Sequence, residues 1–159
     1  LWTDSARIES IRRELTAERA DPAYQKKLDS ASKKREAEQD AYVVEFRQAV
    51  IDFLAFAPRY GDFTRRLADA VTDQAVPVGS GTVARTERIP IQQRAEAAVI
   101  AWMSHQTTAY DNMSIARIKG ERREMHRKLA ARSRGLLEKY RSGEEIDFTV
   151  CPLSKALKQ

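Results

Sequence analysis

Apolar residues recur at intervals of three and four along most of this chain, the pattern of helices that bury one face. Ile8, Ile11 and Leu15 form a narrow stripe and predict a first helix from Asp4 or Ser5, either of which can cap it, to about Arg19. Asp21-Pro22 then predicts a second start, an acidic cap followed by a proline whose missing N–H costs nothing in a first turn. With no breaker before Ala57-Pro58, this helix is expected to run for roughly 36 residues, or about 54 Å. Its halves differ. From Gln25 to Asp40, Lys26, Lys27, Lys33, Lys34 and Arg35 stand against Asp29, Glu36, Glu38 and Asp40, leaving little to bury besides Tyr24, Leu28 and Ala31. From Tyr42 onward, Tyr42, Val43, Phe46, Val50, Phe53 and Leu54 give a broad apolar face that belongs to a core.

After a turn at Arg59-Tyr60-Gly61, Asp62 is expected to cap a third helix ending near Gln74, with Phe63, Leu67, Ala70 and Val71 on its stripe. Residues Val76 to Arg88, VPVGSGTVARTER, hold a proline and two glycines and form the main loop. Ile89-Pro90 restarts the chain in a fourth helix, the most apolar, with Ile91, Ala95, Ala98, Val99, Trp102 and Met103 on one face and His105 near its end. Beyond HQTTAYDNMS, a fifth helix is predicted from about Ile118 to Ser142, stopped by Gly143 as a left-handed C-terminal cap. A short helix beginning at Pro152 completes the set.

Composition narrows the class. The 159 residues contain six glycines and five prolines, so the elements between them are long. No apolar run approaches the length of a membrane span and no signal-peptide succession opens the chain, which predicts a cytoplasmic protein without membrane contact. Cys151, the single cysteine, has no disulfide partner, and it sits between Val150 and Pro152 as a packed small residue rather than a nucleophile. With two histidines, the chain has no zinc framework at ligand spacing, and neither a metal nor a cofactor is expected. The first methionine is Met103, which suggests a piece of a longer protein. The expected fold is all-α with about five helices, organised as a charged N-terminal helical hairpin (residues 1–40) and a helical core domain (41–159).

Charge adds the strongest chemical signal. Between Arg117 and Arg141 ten basic residues face three acidic ones, while the whole chain has a formal net charge of +5. At about 100° per residue, Ile118, Met125, Leu129, Leu136 and Tyr140 form the core face, and Arg123, Arg127, Arg134 and Arg141 form a separate row. A row of guanidinium forks on a rigid rod suits phosphate oxygens. Lys119 belongs to the same basic helix. In the loop, the backbone around Gly79 and Gly81, with Ser80, Thr82 and Thr86 and with Arg85 and Arg88, can hold an anion, although the Gly-Lys-Ser/Thr ending of a P-loop is missing. His105 with Tyr110 and Asp111, and His126 with Glu124, offer a base or metal ligands, against which stands their ordinary use as caps and hydrogen-bonding groups.

From Val76 onward the chain resembles an uncharacterised bacterial family, a domain of unknown function, in which an Arg-Thr-x-Arg loop precedes a helix ending in His-x-x-Thr-x-Tyr-Asp and then an arginine-rich helix. Arg85, Thr86 and Arg88 match the loop, His105, Thr108, Tyr110 and Asp111 the motif, and Arg122 and Arg123 the start of the basic helix. The resemblance implies no established activity. The residues themselves lead to an expected function of binding DNA or structured RNA through the phosphate backbone, without catalysis. A structural or interaction module is the alternative, with the N-terminal helices as the place for a homodimer contact, and a metal-assisted phosphodiesterase stands third.

Overall fold

The computed structural model describes residues 5–77, 83–86, 88–108 and 120–158, with the side chains of Ala6 and Val83 set aside. Among these residues there is no strand, and the architecture is all-α: α1 (Ser5–Ala20), α2 (Pro22–Leu54), α3 (Gly61–Ala75), α4 (Ile91–Thr107), α5 (Glu121–Arg141) and α6 (Pro152–Ala156). Single 3-10 turns at Pro58–Tyr60 and Val83–Arg85 precede α3 and α4. No helix among the described residues is long and apolar enough to cross a membrane.

The chain divides into two units, residues 1–42 and 43–159. In the first, Asp21 separates α1 from α2, and its carboxylate accepts the Ala23 N–H at 2.7 Å and so caps α2, with Pro22 in its first turn. Ile8, Ile11, Leu15 and Leu28 all remain exposed, so the apolar stripe read from the sequence is present but uncovered.

The second unit holds the core. α4 packs against α3, α5 and α6, and Phe46, Val50 and Leu54 of α2 join Leu67, Val71, Val99, Met103, Leu137 and Leu153 in complete burial. Tyr140 of α5 is the largest fully buried side chain. Its ring stacks on Phe63 at 5.0 Å and Phe56 at 4.8 Å, meets Tyr60 edge-on at 4.9 Å, and its hydroxyl lies 3.2 Å from the buried Cys151 Sγ. Cys151 is therefore a packing residue. Burial, with the Cys151 contact second, pushes the Tyr140 phenol well above its ordinary range. Because the folded protein holds that proton more tightly, its contribution is complete below about pH 10 and is lost as the pH rises further. Tyrosinate absorbance should show Tyr140 ionising only together with unfolding, and the Tyr140→Phe difference spectrum checks this.

Helix ends explain where the sequence reading shifts. α2 stops at Leu54 rather than Ala57 because Ala55 turns to a positive φ of 46°. Asp62 lies in the first turn of α3 and pairs with Arg65, while Tyr60 occupies the cap position without a side-chain bond. In α5 the buried stripe is Leu129, Ser133, Leu137 and Tyr140, with Met125 and Leu136 only half-buried. The seam is rotated by one position because the small Ser133 sits in it, and a serine reads as polar in a periodicity count. Ile118 lies outside the described residues. Gly143 supplies the expected left-handed cap at φ 72°: its N–H reaches Tyr140 O and the Glu144 N–H reaches Lys139 O, the paired bonds of a Schellman ending.

Candidate nucleic-acid interface

α5 carries eight basic and three acidic side chains, an excess of five that equals the net charge of the whole chain. Gly120, left-handed at φ 97°, starts the helix. Over the next two turns Arg122, Arg123, Arg127 and Lys128 are all exposed, as is His126, so the rod presents cations around much of its circumference before Leu129 enters the core. Gly120, Arg122, Arg123 and His126 line an open concavity of 750 Å³. Arg122, Arg123 and Lys128 meet no acidic partner among the described residues, and Arg127 has only a loose contact with Glu124 at 3.5 Å.

The arginine row read from the sequence divides here. Arg123 and Arg127 face solvent. Arg134 reaches across to α4 and pairs with Glu96 at 2.8 Å. Arg141 turns inward, donating from Nε to Leu54 O at 3.0 Å and from Nη2 to Phe53 O at 2.6 Å, with its guanidinium 5.1 Å from the Phe53 ring centroid. Those carbonyls belong to the last turn of α2, which has no further helical N–H to receive them. Arg141 thus acts as the C-terminal cap of another helix. Arg141→Gln should cost about 1–3 kcal/mol, the range for charge-assisted bonds in a partly buried place, whereas Arg134→Gln, losing a half-exposed pair, should cost less than about 1 kcal/mol. Urea denaturation of the two variants checks the order.

A further set of cations escaped the sequence reading. Arg132 and Lys139 are exposed on the flank of α5 opposite the row and border a groove of 370 Å³ floored by Met103, Leu136 and Pro152. The spacing of Lys128, Arg132 and Lys139 places them on one line of the helix, a signal available in the sequence but masked by the more numerous arginines. Lys119 lies outside the described residues.

Of the loop, Gly79, Ser80, Gly81 and Thr82 lie outside the described residues. Arg85 and Arg88 are exposed, and the Arg88 N–H reaches Thr86 Oγ1 at 3.4 Å. Ala84 is buried, and its carbonyl accepts from Arg94 of α4 at 3.2 Å, which ties the Val83–Arg85 turn to the core.

His105 and His126 both line a groove of 370 Å³ between α4 and α5, together with Glu96, Ser104 and Arg134. The structure therefore brings the two histidines to one groove, and Tyr110 and Asp111 lie outside the described residues. Thr108 closes the last turn of α4 by donating to Ser104 O. Among the described residues no three His, Cys, Asp or Glu side chains are grouped as metal ligands.

Comparison with known proteins places the sequence in a family. The family model described as uncharacterized conserved protein (DUF2293) matches residues 55–141, from just beyond α2 to the last residue of α5, a little over half the chain. The resemblance to a domain of unknown function is borne out by that match. No curated protein and no solved structure matches the chain.

Proposed function

This chain belongs to the DUF2293 family of uncharacterized conserved proteins, and we propose that its helical domain binds the phosphate backbone of DNA or structured RNA through the exposed first two turns of α5. The observation that carries this reading is the placement of Arg122, Arg123, Arg127 and Lys128. In the first turn, where Arg122 and Arg123 stand, a cation opposes the macrodipole and costs about 0.3–1 kcal/mol. Solubility alone is served as well by basic groups anywhere on the surface. A cluster of exposed cations that meets no more than one loose acidic contact among the described residues suits an external polyanion. Each neutralised phosphate releases condensed counterions, so affinity acquires a steep salt dependence. The cluster itself contains no aromatic side chain, which favours backbone contact over stacking on bases.

The test is fluorescence anisotropy with a labelled DNA duplex and an RNA hairpin over a salt series. A linear fall of log affinity with log salt is expected, and its slope counts the phosphate contacts. A second reading is favoured by one observation, the uncovered Ile8, Ile11, Leu15 and Leu28 of the first unit. That face suits an interaction module in which α1 and α2 meet a second copy. Salt-independent failure to bind either nucleic acid, with a mass that doubles with concentration in sedimentation, would transfer the function to that reading.

A further inference from the structure

Far along the chain from the basic end of α5, the start of α3 and the C-terminal segment enclose a concavity of 280 Å³ whose walls include Tyr60, Phe63 and Phe148. Three cations, Arg59, Arg66 and Lys158, border it. The rings are arranged rather than scattered. Phe148 meets Tyr60 edge-on at 6.1 Å and lies tilted to Phe63 at 5.5 Å, yet it stays 40% exposed. Its turn is fixed from both sides: Asp147 accepts the Thr149 N–H at 2.8 Å and the Thr149 hydroxyl at 2.6 Å, and the Cys151 N–H bonds to Asp147 O at 3.0 Å. A large apolar ring is thus held at the surface by a rigid turn, with part of its area turned to water.

The charge around it is as specific. Arg59 donates to Gly143 O at 3.2 Å and Arg66 to Leu157 O at 3.0 Å, bonds that each engage one of the five N–H donors of a guanidinium. Lys158 is exposed, and its ammonium has no partner among the described residues. None of the three meets a carboxylate there. The single acid of the lining, Asp62, is paired with Arg65. An apolar aromatic wall that wants a flat partner and a rim of cations that wants an anion are therefore side by side, anchored by carbonyl bonds that orient the guanidiniums without neutralising them.

We propose that this concavity binds a nucleotide, its base against Phe148 and its phosphate among Arg59, Arg66 and Lys158. The volume sets the size at one nucleotide. Sites for small ligands run from about 300 to 1,000 Å³, and this one, at 280 Å³, falls just below that range. The shared chemistry, an aromatic base carrying a phosphate, has two sources, a free mononucleotide or an unpaired nucleotide of a strand. The site is independent of the α5 reading, since it uses none of the same side chains.

Calorimetric titration with adenosine monophosphate, adenosine, inorganic phosphate and a short single-stranded oligonucleotide tests it in the full chain. Adenosine monophosphate should bind more tightly than adenosine or phosphate alone, because only it fills both halves. Phe148→Ala should weaken it by about 5- to 150-fold, the worth of one base stacked on an aromatic ring. Phe148→Leu keeps an apolar side chain against Tyr60 and Phe63 but removes the π face, so it should weaken nucleotide binding while lowering the unfolding midpoint less than Phe148→Ala does. Lys158→Gln should shrink the preference for the monophosphate over adenosine. Phe148-dependent binding of the oligonucleotide, in the absence of mononucleotide binding, would assign the site to a strand and support the proposal. Binding of phosphate as tight as that of the nucleotide, absence of binding in both nucleotide arms, or affinities unchanged by both Phe148 variants would overturn it.

Discussion

Replacing Tyr140 with alanine is expected to destabilise the protein by about 3–5 kcal/mol, the cost of truncating a large aromatic side chain in a closed core. Tyr140 is wholly buried and touches three other rings, from the segment just after α2, the 3-10 turn and α3. A cavity there has no neighbour able to fill it, because Phe56, Tyr60 and Phe63 are themselves held by one another and by Tyr60's bond to Glu144 O. Against a typical domain stability of about 5–15 kcal/mol, such a loss removes a large share of the margin. Tyr140→Phe keeps the ring and gives up only a hydroxyl facing a thiol, so it should cost less than about 1 kcal/mol. Urea denaturation of the pair separates the ring from the hydroxyl. Equal losses in the two variants would mean that the Cys151 contact, not the aromatic cluster, holds the core.

The second large effect is on binding. Changing Arg122, Arg123, Arg127 and Lys128 together to glutamine should not weaken folding, since exposed substitutions shift stability by only about ±0.5 kcal/mol each and the loss of Arg122 and Arg123 from the first turn relieves the helix dipole. If each of the four makes one phosphate contact, the salt slope on duplex DNA should fall by about 3–4 units. Between 50 and 200 mM salt the unaltered protein would then lose about 150-fold more affinity than the variant. Arg134→Gln is the matched control, because its guanidinium is already engaged by Glu96, and it should leave the slope within about one unit of the parent. A quadruple variant that binds with the parent's slope would remove α5 from the interface.

The helices themselves were legible because their evidence is local. Pro22, Pro90 and Pro152 open elements, Gly143 closes one, and apolar spacing marks the faces between. What the periodicity could not supply was the neighbour across the gap. The angular construction puts Arg123, Arg127, Arg134 and Arg141 on one line, and the geometry of a single helix stops there. Arg134 meets a glutamate 38 positions earlier and Arg141 a carbonyl 87 positions earlier, contacts decided by packing alone. The same limit hid Phe148, whose turn has no period to read and whose significance comes from Arg59, Tyr60, Phe63 and Lys158 arriving from distant parts of the chain. The single-position rotation of the α5 seam had a local cause, a serine serving as a core residue.

The joint near Ala57 has a consequence for how such a segment travels between proteins. The Ala57 N–H bonds to Tyr140 O at 3.0 Å, and the Arg141 side chain grips the last turn of α2, so the two ends of the family-matched stretch, residues 55 and 141, come together at one place. A stretch whose entrance and exit coincide behaves like a cassette. Segments of different lengths grafted outside residues 55 and 141 are therefore expected to enter and leave through the same narrow gate without changing the separation of the helices inside, provided that they supply the apolar side chains with which α2 and the Cys151–Leu153 segment close the core here. The basic end of α5, some 20 residues and about 30 Å from that gate, would keep its position on the cassette whatever the host.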